Sequence, residues 1–106
     1  MLVIRFKVQV QPDKIDEALE MFAAVPPPSR EVEGVISFDI GRDLNDPNAI
    51  VATEVFQDAA ARERQESLPE VARVMASLPD LLAAPPEATI FEVASTSDPF
   101  AATAGP

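Results

Sequence analysis

The hydrophobic period of this chain changes once near its start, and that change limits the fold more than any other feature. Residues 2–10 read Leu-Val-Ile-Arg-Phe-Lys-Val-Gln-Val, with Leu2, Ile4, Phe6, Val8 and Val10 on one side and Val3, Arg5, Lys7 and Gln9 on the other. Alternation at period two is the signature of a strand with one apolar face. After Pro12 the spacing turns helical: Ile15, Ala18, Leu19, Phe22 and Val25 form one stripe, and Asp13 is placed to cap the first turn. Pro26-Pro27-Pro28 is expected to end that helix and to act as a stiff connector, because proline has no amide hydrogen and restricts the residue before it.

The rest of the chain repeats the pattern. Gly34 opens a strand with Ile36, Phe38 and Ile40 on one side and Val35, Ser37 and Asp39 on the other. The Asp, Asn and Pro residues between Asp43 and Asn48 make a turn. Residues 49–56 then return as the second arm of a hairpin. A short polar helix follows Asp58, and Pro69 opens another whose stripe is Val71, Val74, Met75 and Leu78. The spacing predicts a last strand over Ala88–Ala94. Residues 1–94 read as one domain, and 95–106, small and polar, as a loosely ordered tail. This order is the α+β, ferredoxin-like β-α-β-β-α-β sandwich: one antiparallel sheet with helices on one face.

Helices need an apolar sheet face, so Leu2, Ile4, Phe6, Val8, Ile36, Phe38, Ile40, Val51, Thr53, Val55, Phe91 and Val93 are expected beneath them. The second face then holds Val3, Arg5, Lys7, Gln9, Val35, Ser37, Asp39, Ile50, Ala52, Glu54, Phe56, Ile90 and Glu92. With the first strand between the third and the fourth, Arg5 and Lys7 are expected to meet Glu54 and Glu92 across strands. Mixed apolar and charged character suggests a partly enclosed cavity or a protein interface. A half-exposed sheet carrying ordinary ion pairs is the plainer alternative.

Composition narrows the chemistry. The chain has no Cys, His, Trp or Tyr, and its aromatic side chains are six phenylalanines. Disulfides, thiolate chemistry and histidine-based metal or hydrolase sites are excluded, and no tightly bound transition metal is expected. A net charge of −10 argues against nucleic acid and against anionic membranes as partners. The opening residues lack the anatomy of a signal peptide, so a cytoplasmic protein is expected.

The pattern resembles the antibiotic-biosynthesis-monooxygenase (ABM) type of domain of the dimeric α+β barrel superfamily. The resemblance rests on Gln11-Pro12-Asp13-Lys14 after the first strand, Glu33-Gly34 before the second, and the aromatic Phe38. It continues through Asp46-Pro47-Asn48 in the turn, Glu54-Val55-Phe56 at the end of the third strand, and Gln65-Glu66-Ser67-Leu68-Pro69-Glu70-Val71 after it. It implies a homodimer whose two sheets enclose a lumen, and an oxidoreductase of the cofactor-free monooxygenase kind acting on a small aromatic or quinone-like molecule held there. Two alternatives stay open: a non-catalytic member used for small-ligand binding or assembly, and a carboxylate-based isomerase or cyclase of the same superfamily.

The departures from the family pattern matter. Phe56 stands where the family usually has Trp, Gln65 where it commonly has His, and Phe38 lacks the hydroxyl of the usual Tyr. Without that histidine a haem iron would lack its expected ligand, and no cofactor is expected. Cofactor-free oxygenation needs a base and a cation. Glu54 or Asp39 is the candidate base, provided burial raises its pKa, and Arg5 the candidate cation, with Lys7 beside it. Phe56, Lys7, Ser37, Ala52, Gln65 and Ile90 are the candidate substrate contacts. An ion-pair network without chemistry would use the same charged residues.

Overall fold

The computed structural model describes residues 1–101. Strand β1 is Leu2–Gln9, and a single 3-10 turn over Pro12–Lys14 leads into helix α1, Ile15–Ala23. Helix α2 is Pro26–Arg30, β2 is Val35–Arg42, β3 is Ala49–Phe56, α3 is Ala59–Glu66, α4 is Pro69–Leu81 and β4 is Glu87–Glu92. The sheet order is β2-β3-β1-β4, antiparallel throughout. This is the ferredoxin-like α+β sandwich that the periodicity predicts. Residues 95–101 form no strand, and the tail expected over 95–106 lies in part outside the described residues.

The triple proline is helical. The first N–H groups of a helix have no acceptor within it, so proline in the first turn forfeits no bond. The first donor that matters is Ser29, whose N–H reaches the Val25 carbonyl at 3.2 Å. Val25, expected at the end of the first helix, instead precedes α2 and is buried. Asp13 lies in the 3-10 turn and caps nothing; α1 starts without a side-chain cap. Asp58 does cap α3, its Oδ1 accepting from the Ala61 N–H at 2.9 Å.

The faces of β3 and β4 are the reverse of the expected ones. Residues directly opposite in an antiparallel pair point the same way. Leu2, Ile4, Phe6 and Val8 lie opposite Phe56, Glu54, Ala52 and Ile50. Those four β3 side chains therefore lie under the helices, and Val51, Thr53 and Val55 lie on the open face. On β4, Ile90 is opposite Ile4, while Thr89 and Phe91 are opposite Arg5 and Val3. Phe91 is thus on the open face, 49% exposed. A bulge between Val35 and Ser37 sets Val35 opposite Phe56 and leaves Ile36 55% exposed.

The expected Arg5 and Lys7 pairs with Glu54 and Glu92 do not exist, because the partners occupy opposite faces. Lys7 lies opposite Glu87 and Val51, and Arg5 opposite the threonines Thr53 and Thr89. The core between sheet and helices is built from Ile4, Val8, Ile50 and Phe56 against Ile15, Ala18, Phe22, Val74 and Leu78.

Gly34 sets how closely α3 approaches the sheet. Its φ is +87°, and a Cβ there would stand 2.6 Å from the Cβ of Ala61. Arg64 fastens the same corner, its Nη2 donating to the Glu33 carbonyl at 2.8 Å. Gly34→Ala combines a left-handed backbone with a collision and should cost about 2 kcal/mol or more, read as a lowered urea midpoint in equilibrium unfolding.

Candidate functional site

A cavity of about 460 Å³ lies between the sheet and the helices. Its sheet side is made by Ile4, Phe6, Phe38, Ile40, Ala52 and Glu54, and its helix side by Phe22 and Val25 together with residues of α3 and α4. The spacing of α3 places Arg62, Gln65 and Glu66 on one face, since residues three and four apart share a side of a helix. From α4 come Val71, Val74 and Met75. Met75 is 56% exposed and marks where the cavity reaches the surface.

Among the described residues, four polar side chains line this otherwise apolar space: Glu54, Arg62, Gln65 and Glu66. Arg62 and Glu66 pair along α3, Nε to Oε1 at 2.7 Å. Glu54 has no ion pair of its own among the described residues. Burial, and then the negative charge of Glu66, push its pKa up to about 7, against the opposing pull of Arg62. Near neutrality such a carboxyl exists in both forms, which suits it to take or return a proton.

Gln65 is buried, and its Nε2 donates to the Ser29 Oγ at 3.0 Å. Among the described residues no three His, Cys, Asp or Glu side chains cluster as a metal site. Haem does not fit this cavity either: its polar donors are two carboxylates, an amide and a guanidinium, and none is a suitable axial ligand.

The sequence-predicted residues divide between two places. Glu54, Ala52 and Gln65 converge on the cavity. Arg5, Lys7, Ser37 and Asp39 lie on the open face, where Asp39 Oδ1 takes Arg30 Nη2 at 3.2 Å. Phe56 is fully buried in the core, and Ile90, opposite Ile4, is 47% exposed on β4. Sequence reasoning missed Arg62, Glu66 and Phe22 as lining residues, and Ser29 as the partner of Gln65. The helical spacing of residues 62, 65 and 66 was the available signal for two of them; nothing local marks Ser29, whose role depends on α2 lying against α3.

Comparison with known structures gives the class first. An antibiotic biosynthesis monooxygenase crystal structure superposes with a TM-score of 0.80 at 18% identity, covering 90% of this chain and 100% of that one. A protein from Mycobacterium tuberculosis gives 0.83 at 18%, covering 92% and 98%, and one from Pseudomonas aeruginosa 0.80 at 20%, covering 89% and 94%. At these identities the likeness establishes the fold. The family follows from sequence: the antibiotic biosynthesis monooxygenase profile matches residues 1–77, and the chain belongs to that family. An uncharacterised protein of Synechocystis sp. is 30% identical over 95 residues, 90% of this chain, which spans 65% of that relative's length. Among the described residues no helix is long and apolar enough to cross a membrane.

The raised pKa has a consequence for stability. Glu54 binds its proton more tightly in the folded chain than at its ordinary value of 4.5. Between pH 4.5 and about 7 the folded state therefore holds more protons, and this group's contribution to stability is lost as pH rises through that window. Glu54→Gln should make the protein more stable than the parent by about 1–2 kcal/mol at pH 8, a difference that vanishes at pH 4. Urea unfolding of both proteins at the two pH values checks it.

Proposed function

We propose that this chain is a cytoplasmic, homodimeric, monooxygenase-like protein that takes a small aromatic or quinone-like substrate into the cavity beneath its helices and oxygenates it without a cofactor. The observation that carries this reading is a half-buried carboxyl with a pKa of about 7 in an apolar cavity. The family resemblance pointed to the lumen between two sheets. The convergence of Glu54, Arg62 and Gln65 within one protomer favours the helix-covered side instead.

In this reading Glu54 takes a proton from a phenol or from a methylene activated by flanking rings. Arg62 stabilises the anion that results, at a place where apolar walls strengthen its field. The anion is the reductant. For an activated methylene, CH2 and O2 give C=O and H2O: one oxygen atom enters the substrate, the other leaves as water, and the substrate supplies all the electrons. The near-neutral pKa equally suits proton transfer without oxygen, as in a carboxylate-based isomerase or cyclase.

Oxygen-electrode measurements with a panel of anthrones and hydroquinones separate the two readings. Uptake is expected for the oxygenase. Product formation without uptake would replace it with the isomerase reading. Glu54→Gln should lower turnover by ~10²–10⁴-fold, the usual worth of a general base.

The dimer rests on the open face. Val3 lies opposite both Val55 and Phe91, which makes an apolar band across three strands, separated by the row of Arg5, Thr53 and Thr89 from the pair of Lys7 and Glu87. Arg5, Lys7, Ser37 and Asp39 belong to this interface rather than to the chemistry. Two such faces should bury more than ~1,000 Å² together. Static light scattering should report twice the chain mass, and Phe91→Glu, which sets a charge in the band, should halve it.

A further inference from the structure

Ser29 and Gln65 are 0% and 2% exposed and meet across α2 and α3. The Ser29 hydroxyl donates to the Val25 carbonyl at 2.7 Å, and Gln65 Nε2 donates to the Ser29 Oγ at 3.0 Å. A hydroxyl has one hydrogen to give. With that hydrogen on Val25, the Oγ can only accept, so the amide edge turned toward it must be the NH2. The orientation of Gln65 is thereby set by its neighbours, and its Oε1 is the atom left over.

That oxygen accepts from no group among the described residues, yet none of their buried side-chain oxygens or nitrogens is without a partner. Oε1 therefore keeps a small accessible edge although Gln65 as a whole is 2% exposed, and the space that Gln65 lines is the cavity. We propose that Gln65, held by Ser29, is a specificity-determining residue that offers the ligand an acceptor only, so that the cavity selects an aromatic molecule bearing a hydroxyl or N–H at that edge over its carbonyl or methoxy counterpart.

This deepens the reading of the cavity as an aromatic-ligand site and rests on it. A ligand carbonyl against Oε1 would set lone pair against lone pair. Turning the amide over would bring Oε1 onto the Ser29 Oγ, and the hydroxyl would then have to abandon Val25. An oxidation that converts a hydroxyl at this edge to a carbonyl would consequently weaken the product's hold and favour its release.

The test uses three probes of one skeleton, 2-naphthol, 2-methoxynaphthalene and 1,4-naphthoquinone, with dissociation constants measured anaerobically by calorimetry. The intact protein should bind the naphthol roughly tenfold more tightly than the ether or the quinone, the worth of about one hydrogen bond. Gln65→Met, similar in length but without the amide, should bring the naphthol-to-ether ratio close to one. Ser29→Ala, which frees the amide to turn over, should also shrink that ratio and improve quinone binding. Equal affinities in the intact protein, or a preference that survives Gln65→Met, would overturn the proposal. Should Ser29→Ala fail to fold, the other two proteins decide. Binding of none of the three probes would bring down the aromatic-ligand reading itself, and this inference with it.

Discussion

The antiparallel register of β1 against β3 is the constraint on which the rest of the site depends. It sets Ile4 opposite Glu54 and Phe6 opposite Ala52, and so delivers a carboxyl to the face that the helices cover. Side chains alternate along a strand, so a slip of one residue would send Glu54 to the open face and bring Val55 inward. The register is held by burial: Ile4, Val8, Ile50 and Phe56 are all core residues, and a slipped pairing would expose the large apolar side chains of β3.

Helices α2 and α3 complete what the register begins. Gly34, with no Cβ, lets α3 come down onto the start of β2, and Arg64 fastens it there. Docked at that depth, α3 presents Arg62, Gln65 and Glu66 to the cavity, while Gln65 reaches the buried Ser29 of α2. The prolines of α2 serve the same end, since they start a helix whose first satisfied donor belongs to Ser29. Among the described residues, Ser29 and the amide nitrogen of Gln65 are buried against partners. Glu54 has no ion pair of its own there, and its burial appears as a raised pKa.

Misreading the β3 face has a physical cause that points at the site. Val51, Thr53 and Val55 are uncharged, whereas the alternative set contains Glu54, so alternation of polarity favours burying the first. The fold buries the second because Ile50 and Phe56 offer more apolar surface, and because the cavity leaves Glu54 space and the nearby Arg62. A local rule broken at one residue of an otherwise consistent strand is where function is to be sought. β4 was ambiguous for a weaker reason: all six of its residues are exposed, so burial marks neither face and pairing with β1 alone assigns them.

By itself the sequence determined the order of elements, the hairpin at Asp43–Asn48, the position of β1 inside the sheet and the family, and it singled out Glu54 and Gln65 as candidates, both of which line the cavity. These follow from periodicity, turn chemistry and short motifs, all of which act over a few neighbouring residues. The tertiary structure alone decided which face of β3 and β4 meets the helices, that Arg5 and Lys7 stand apart from Glu54, that Arg62 and Glu66 line the cavity, and that Ser29 holds Gln65 behind it. Those facts depend on contacts between residues far apart in the chain, such as Ser29 with Gln65 and Ile4 with Glu54. Local pattern cannot encode them, because the same alternating strand is compatible with either face until its neighbours are in place.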